Sequence, residues 1–174
     1  MHASTVHLAL SELSANVMQS EIRAMTVECD RVHGINLAQG VCDTELTAPV
    51  AEAAIAAIRG GQNIYTRLEG IAALRAGIAR KLAGYNRMEC DPESGILVTS
   101  GATGAFHAAC MALLNPGDEV LLFEPFYGYH RNTIMSVRAM PVAVALDAPG
   151  WELDFDRLKK SITARTRAIV INTT

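Results

Sequence analysis

The sequence predicts an α/β fold built on a parallel sheet that is covered on both faces. Three observations carry this. After Pro92, short apolar runs alternate with helix-like stretches; runs such as "EVLLF" and "AIVI" are continuously apolar instead of alternating; and the turn "NPGD" separates a helix from the strand that follows it. A strand that is apolar on both sides needs cover on both sides, and strands separated by helices run parallel. In order, the strands fall near 95–99, 119–123, 140–145 and 167–172, with helices at 102–114, about 128–137 and 154–162.

Before Pro92 the texture differs. Residues 1 to about 45 read as an arm, with a helical stretch at "SEIRAMTVECDRV" and then an extended piece, "INLAQG", bounded by Gly34 and Gly40. Two helices follow, at 48–60 and 70–85. The second sets Ile71, Leu74, Ile78, Leu82 and Tyr85 on one face at three- and four-residue steps. No internal repeat or low-complexity segment interrupts the pattern.

Composition narrows the function classes. The chain has 174 residues, the length of one domain, with half of them hydrophobic and a net charge of -3. Its lysines, Lys81, Lys159 and Lys160, form no basic run, and the last two read as a solvated helix face, which argues against a nucleic-acid partner. Cys29, Cys42, Cys90 and Cys110 lie far apart without a C-x-x-C pair, so no metal site or redox motif is expected and they read as reduced thiols. The start, "MHASTVHLAL", lacks the cationic lead and apolar length of a signal peptide, and no run approaches the ~20 apolar residues of a membrane span. The expected location is the cytoplasm, away from the membrane.

One junction carries chemistry. "SGATGAFHA", residues 100–108, places small residues where a predicted strand hands over to a helix. There the backbone N–H groups of the first helical turn are unpaired and carry a partial positive charge, so the junction suits a phosphate. Two readings fit. In a dinucleotide fold, Glu124 stands about 20 residues after the glycines, where an acid binds ribose. In that reading His107 occupies the third glycine position, and no lysine has a tyrosine four places before it to serve a short-chain dehydrogenase of NAD(P)-binding type.

The second reading takes in more of the chain. "INLAQGVCD", "IYTRLEGIAALRAGIARKL", "VTSGATGAFHAACMALLNPGDEVLLFEPFYGYH" and "WELDFDRLKKSITARTRAIVINTT" resemble, in order, blocks of the class I/II aminotransferases, the fold-type-I pyridoxal-phosphate enzymes. The "QG" and "EPFY" wording is closest to the kynurenine/glutamine transaminase-like branch. The resemblance implies a three-layer αβα large domain. Residues 1–45 would be the arm and the start of the small domain, and 46–174 the first half of the pyridoxal-phosphate-binding large domain.

Roles follow from the resemblance. Gly101, Ala102 and Thr103 would cradle the phosphate of pyridoxal 5'-phosphate, and Tyr127 would stack on its pyridine ring. Tyr65 would reach across a homodimer interface to the neighbour's phosphate, and Gly40 would line the pocket for the carboxylate of an amino-acid or 2-oxo acid substrate. His107 and His130 stay outside the site, because a histidine on a small-residue helix is more often packed or solvent-facing than catalytic. The family's Schiff-base lysine, its pyridine-nitrogen aspartate and its carboxylate arginine match no position here. The chain therefore reads as an N-terminal half, either a truncated reading frame or one piece that is completed by a C-terminal half. Its sheet is expected to end on an open edge and to be poorly soluble alone. A non-catalytic partner subunit is the third reading.

Overall fold

The computed structural model describes residues 9–172. The first eight residues of the expected arm, within "MHASTVHLAL", and Thr173 and Thr174 at the end of the last block lie outside the described residues.

A 3-10 turn at Glu12–Asn16 leads into α1 (Glu21–Arg31), followed by α2 (Ala48–Arg59), α3 (Ala72–Lys81), α4 (Gly101–Leu113), β1 (Glu119–Glu124), α5 (Gly128–Ser136), β2 (Met140–Ala145), α6 (Phe155–Ser161) and β3 (Thr166–Val170). Local chemistry sets several of these ends. Glu21 opens α1 and Arg31 closes it, each complementing the helix dipole. In α2 a proline sits in the first turn and Gly60 follows the last, while the Asp154 carboxylate caps α6 by accepting from the N–H groups of Asp156 and Arg157.

The chain forms two compact units, one from Met1–Ala38 with Thr103–Thr174, of which 9–38 and 103–172 are described, and one from Gln39–Ala102. The first contains the sheet. Its three strands are parallel, in the order β2-β1-β3, with Leu121 of β1 paired to Val142 on one side and Ile169 on the other. Residues 119–122 of β1 are buried, as a central strand covered on both faces must be. Val120 and Leu122 join Cys110 of α4 and Ile134 of α5 in the core, and Phe106, Phe126 and Val170 pack around them. Among the described residues β2 and β3 are each hydrogen-bonded along one side only.

Two expectations change. The strand near 95–99 is not a ladder strand: Val98 N–H donates to the Glu69 carbonyl at 3.0 Å, and no strand pairs with the segment among the described residues. An apolar run becomes a strand only where its backbone finds a parallel or antiparallel partner. The helix expected at 70–85 ends as α3 at Lys81 and continues as one π-helical turn, Leu82–Asn86, which Arg87 closes at φ +56°. Its apolar face is largely open, with Ile71, Leu74 and Tyr85 exposed, and the fully buried side chain of α3 is Arg75.

Within the second unit, Arg75 organises the packing. Its Nε donates to the Gly70 carbonyl at 3.2 Å, Nη1 donates to the Pro92 and Glu93 carbonyls, and Nη2 meets both Glu93 carboxylate oxygens at 3.2 Å. Gly70 is required twice over. It has φ +99°, and a Cβ there would lie 2.6 Å from Val98 Cγ2, so only glycine lets the two segments approach this closely.

Candidate functional site

The junction quoted above opens α4. Gly101 has φ +71°, a conformation that favours glycine, and a Cβ built on it would meet nothing within 4 Å. Its own N–H donates to the Thr99 carbonyl at 2.9 Å, and the Thr99 hydroxyl donates to the Gly101 carbonyl at 2.9 Å. Gly101 therefore contributes the turn rather than a free donor. The N–H groups of Ala102 and Thr103 come next; as members of the first turn they have no carbonyl four places back inside the helix to accept from them. Both residues are exposed, the Thr103 hydroxyl is unbonded among the described residues, and no acidic side chain stands in that first turn. Open space, free donors and the positive helix end are what an anion of phosphate type needs.

Tyr127 is the N-cap residue of α5 and is 43% exposed. Neighbouring rings hold it. Tyr129 lies 5.1 Å away at a tilt of 47°, and His130 meets it edge-on at 5.3 Å, both within the range of favourable aromatic pairing. His130 packs in turn on Phe106 of α4 at 4.4 Å, one helical turn beyond Thr103. The first unit thus ties the Tyr127 end of α5 to the front of α4.

His130, which residue type alone leaves outside the site, is one of the two rings packed against Tyr127. Burial pushes its imidazole below the usual value, and its buried Nδ1 has no partner among the described residues. The signal was its spacing: three residues beyond Tyr127 on one helix, it shares the tyrosine's side of α5. His107 is exposed.

The sequence-predicted site residues divide between the two units. Gly101, Ala102, Gly40 and Tyr65 belong to the second unit, Thr103 and Tyr127 to the first. Tyr65 is fully exposed, with neighbours Ile64 and Leu68 also open. Gly40 is exposed, and a Cβ there would touch nothing, so within this chain neither packing nor φ demands glycine at that position. No group of three or more histidine, cysteine or carboxylate side chains able to hold a metal ion occurs among the described residues, and no described helix is long and apolar enough to cross a membrane.

Comparison with known proteins separates the two readings of the glycine junction. The model of the family aminotransferase class I and II matches residues 32–174. A probable N-succinyldiaminopimelate aminotransferase from Mycobacterium tuberculosis is 41% identical over 150 residues, covering 85% of this chain and 38% of the relative. Methionine aminotransferase from Escherichia coli is 32% identical over 149 residues, covering 86% and 39%. Among solved structures, that of N-succinyldiaminopimelate aminotransferase from Mycobacterium tuberculosis matches with a TM-score of 0.87 at 36% identity, over 95% of this chain and 44% of that one. Aspartate aminotransferase from Thermus thermophilus matches with a TM-score of 0.86 at 29% identity, over 96% and 45%. The chain spans about two-fifths of the length of the curated relatives it matches. The dinucleotide reading falls, and it also lacks its first strand in the sheet. The family match takes in the glycine junction, the aromatic cap of α5 and all three strands, and the chain belongs to the class I and II aminotransferases.

Proposed function

We propose that this chain supplies the phosphate cup and ring platform of a pyridoxal-phosphate-dependent aminotransferase, which moves an amino group between an amino acid and a 2-oxo acid. One observation carries the reading: Gly101, at φ +71°, opens a thirteen-residue helix whose first turn is unobstructed and free of acidic side chains. Bound there, the cofactor would supply an electron sink for the bonds at the substrate's α-carbon.

The residues of this chain bind and orient. Ala102 and Thr103 donate N–H groups, and the Thr103 hydroxyl adds a further donor, toward the phosphate, with Gly101 shaping the turn that points them outward. The Tyr127 ring holds a flat group square to them, and His130 and Tyr129 limit its swing. Gly40 lines the substrate-carboxylate pocket. Tyr65, exposed in this chain, serves the phosphate of a second subunit in a homodimer. None of Lys81, Lys159 and Lys160 takes the Schiff-base role, so a complementing C-terminal half provides that amine. Four free thiols support a reducing, cytoplasmic setting.

Titration of the 174-residue chain with pyridoxal phosphate tests this, followed by phosphorus NMR and by absorbance. Saturable binding that borohydride does not make covalent is the expected result, and Thr103→Val should weaken it by about tenfold, the loss of one charge-assisted donor. Binding that Thr103→Val and Tyr127→Ala both leave unchanged would overturn the reading.

A further inference from the structure

A second polar feature of the first unit plays no part in that reading. Asn132 Nδ2 donates to the Met18 carbonyl at 2.8 Å and so fastens the arm to α5. Between them runs a cleft of about 290 Å³. Met18, Ile22, Phe126 and Tyr129 give it apolar walls, and Arg131 of α5 is the cation in its lining. The Arg131 guanidinium forms no hydrogen bond or ion pair among the described residues, and its Nη1 is buried with no partner. A guanidinium carries five donors in a planar fork, and leaving some of them both buried and unpaired is costly, so the arrangement is incomplete as it stands.

The front of α1 faces the same cleft. Ser20, its N-cap residue, lines the cleft and makes no side-chain cap bond, so the positive end of this eleven-residue helix adds to the field of Arg131. Glu21 lies in the lining as well, yet it pairs with no cation among the described residues.

We propose that this cleft binds a small carboxylic acid, with the Arg131 fork on the carboxylate and the apolar walls on its hydrocarbon stem. The chemistry favours carboxylate over phosphate. One planar fork matches a monoanionic carboxylate bidentately, whereas a dianionic phosphate beside Glu21 would meet repulsion and find no second side-chain cation in the lining. The cleft shares Tyr129 with the ring platform, and its carboxylate site does not rest on cofactor binding.

Isothermal titration of the full chain with acetate, glutarate and inorganic phosphate, without cofactor, tests the proposal. Glutarate and acetate should bind saturably. Arg131→Gln should weaken both by about tenfold or more, Arg131→Lys should retain an intermediate affinity, and Glu21→Gln should tighten binding severalfold by removing a like charge. Circular dichroism of each variant separates loss of the site from loss of the fold. The proposal is overturned if folded wild-type chain binds no carboxylate, if folded Arg131→Gln binds as well as wild type, or if phosphate binds more tightly than glutarate. It is overturned equally if anions bind only after Glu21→Gln, since Glu21 would then be the guanidinium's own partner.

Discussion

The two units of this chain are held together by opposite means. In the unit that carries the sheet, the fully buried side chains are apolar: Leu121, Leu122 and Ile134 are within 1% of complete burial, and Cys110 and Ala139 cluster with Leu122 and Ile134. In the unit of residues 39–102 the fully buried side chain is a charged one, Arg75, and its guanidinium is spent on three backbone carbonyls and one carboxylate. Exclusion of water tolerates small shifts, because apolar contact has no direction. A polar clamp does not, since each donor must meet its acceptor. The unit bearing Tyr127 should therefore respond to lost volume, and the unit bearing Tyr65 to lost hydrogen bonds.

The sharpest test of that contrast removes the clamp. Arg75→Ala takes the donors from Gly70, Pro92 and Glu93 together, and should destabilise its unit by about 2–4 kcal/mol, from carbonyls left without a donor and the cavity left by a buried side chain. Amide hydrogen exchange should then show residues 39–102 opening while the core of β1 keeps its protection. Arg75→Met, which fills the volume without the donors, should fail to rescue it. Full rescue by methionine would show that packing, and not hydrogen bonding, holds this unit.

The complementary change is Leu122→Ala at the centre of the sheet. Deleting a leucine side chain that is 1% exposed should cost about 3 kcal/mol from lost transfer energy and the cavity left behind. Here a volume-conserving Leu122→Met should recover most of the loss, the reverse of the behaviour at Arg75. Denaturant unfolding followed at Trp151, in the same unit, reads the change.

How much of this was legible in the sequence divides along the same line. β1, β2 and β3 fall within about two residues of their predicted places because continuous apolar runs report burial directly. The front of α4 was equally plain, since glycine at a strand-to-helix turn has a local cause in its positive φ. Position 75 was not. The periodicity of 70–85 pointed to Ile71, Leu74 and Tyr85 as the inward face, yet the side chain that buries is the arginine between them. A hydrophobic pattern carries no record of carbonyls brought together from Gly70, Pro92 and Glu93. The run at 95–99 misled for a related reason: an apolar segment declares its wish to be covered, and its hydrogen-bond partner lies elsewhere in the chain. The sequence sets His130 aside and does not single out Arg131, because the surroundings of both come from what α4 and the arm place against them.

Acid sharpens the comparison with a smaller effect. Glu119 opens β1 nearly buried, with its carboxylate accepting from the Thr163 hydroxyl at 2.6 Å and from Arg165 Nε at 2.8 Å. The threonine bond first, and the arginine second, hold its pKa below the usual carboxylate range. A carboxyl whose folded value is depressed adds stability that is fully present above its unfolded pKa and is lost as pH falls through the folded one. This contact joins residues more than forty positions apart, so its loss loosens the ladder between β1 and β3. In the other unit Asp91 is also depressed, chiefly by the Ser94 hydroxyl and then by the Glu93 N–H, but both partners lie within three residues and their loss unfastens only a turn. Acid titration should accordingly show Glu119→Gln less stable than wild type at neutral pH and flatter below the carboxylate range. Asp91→Asn should move the same limb less. An equal shift from both would mean that sequence separation, and with it the entropy of the loop each contact closes, has no bearing on how acid opens this fold.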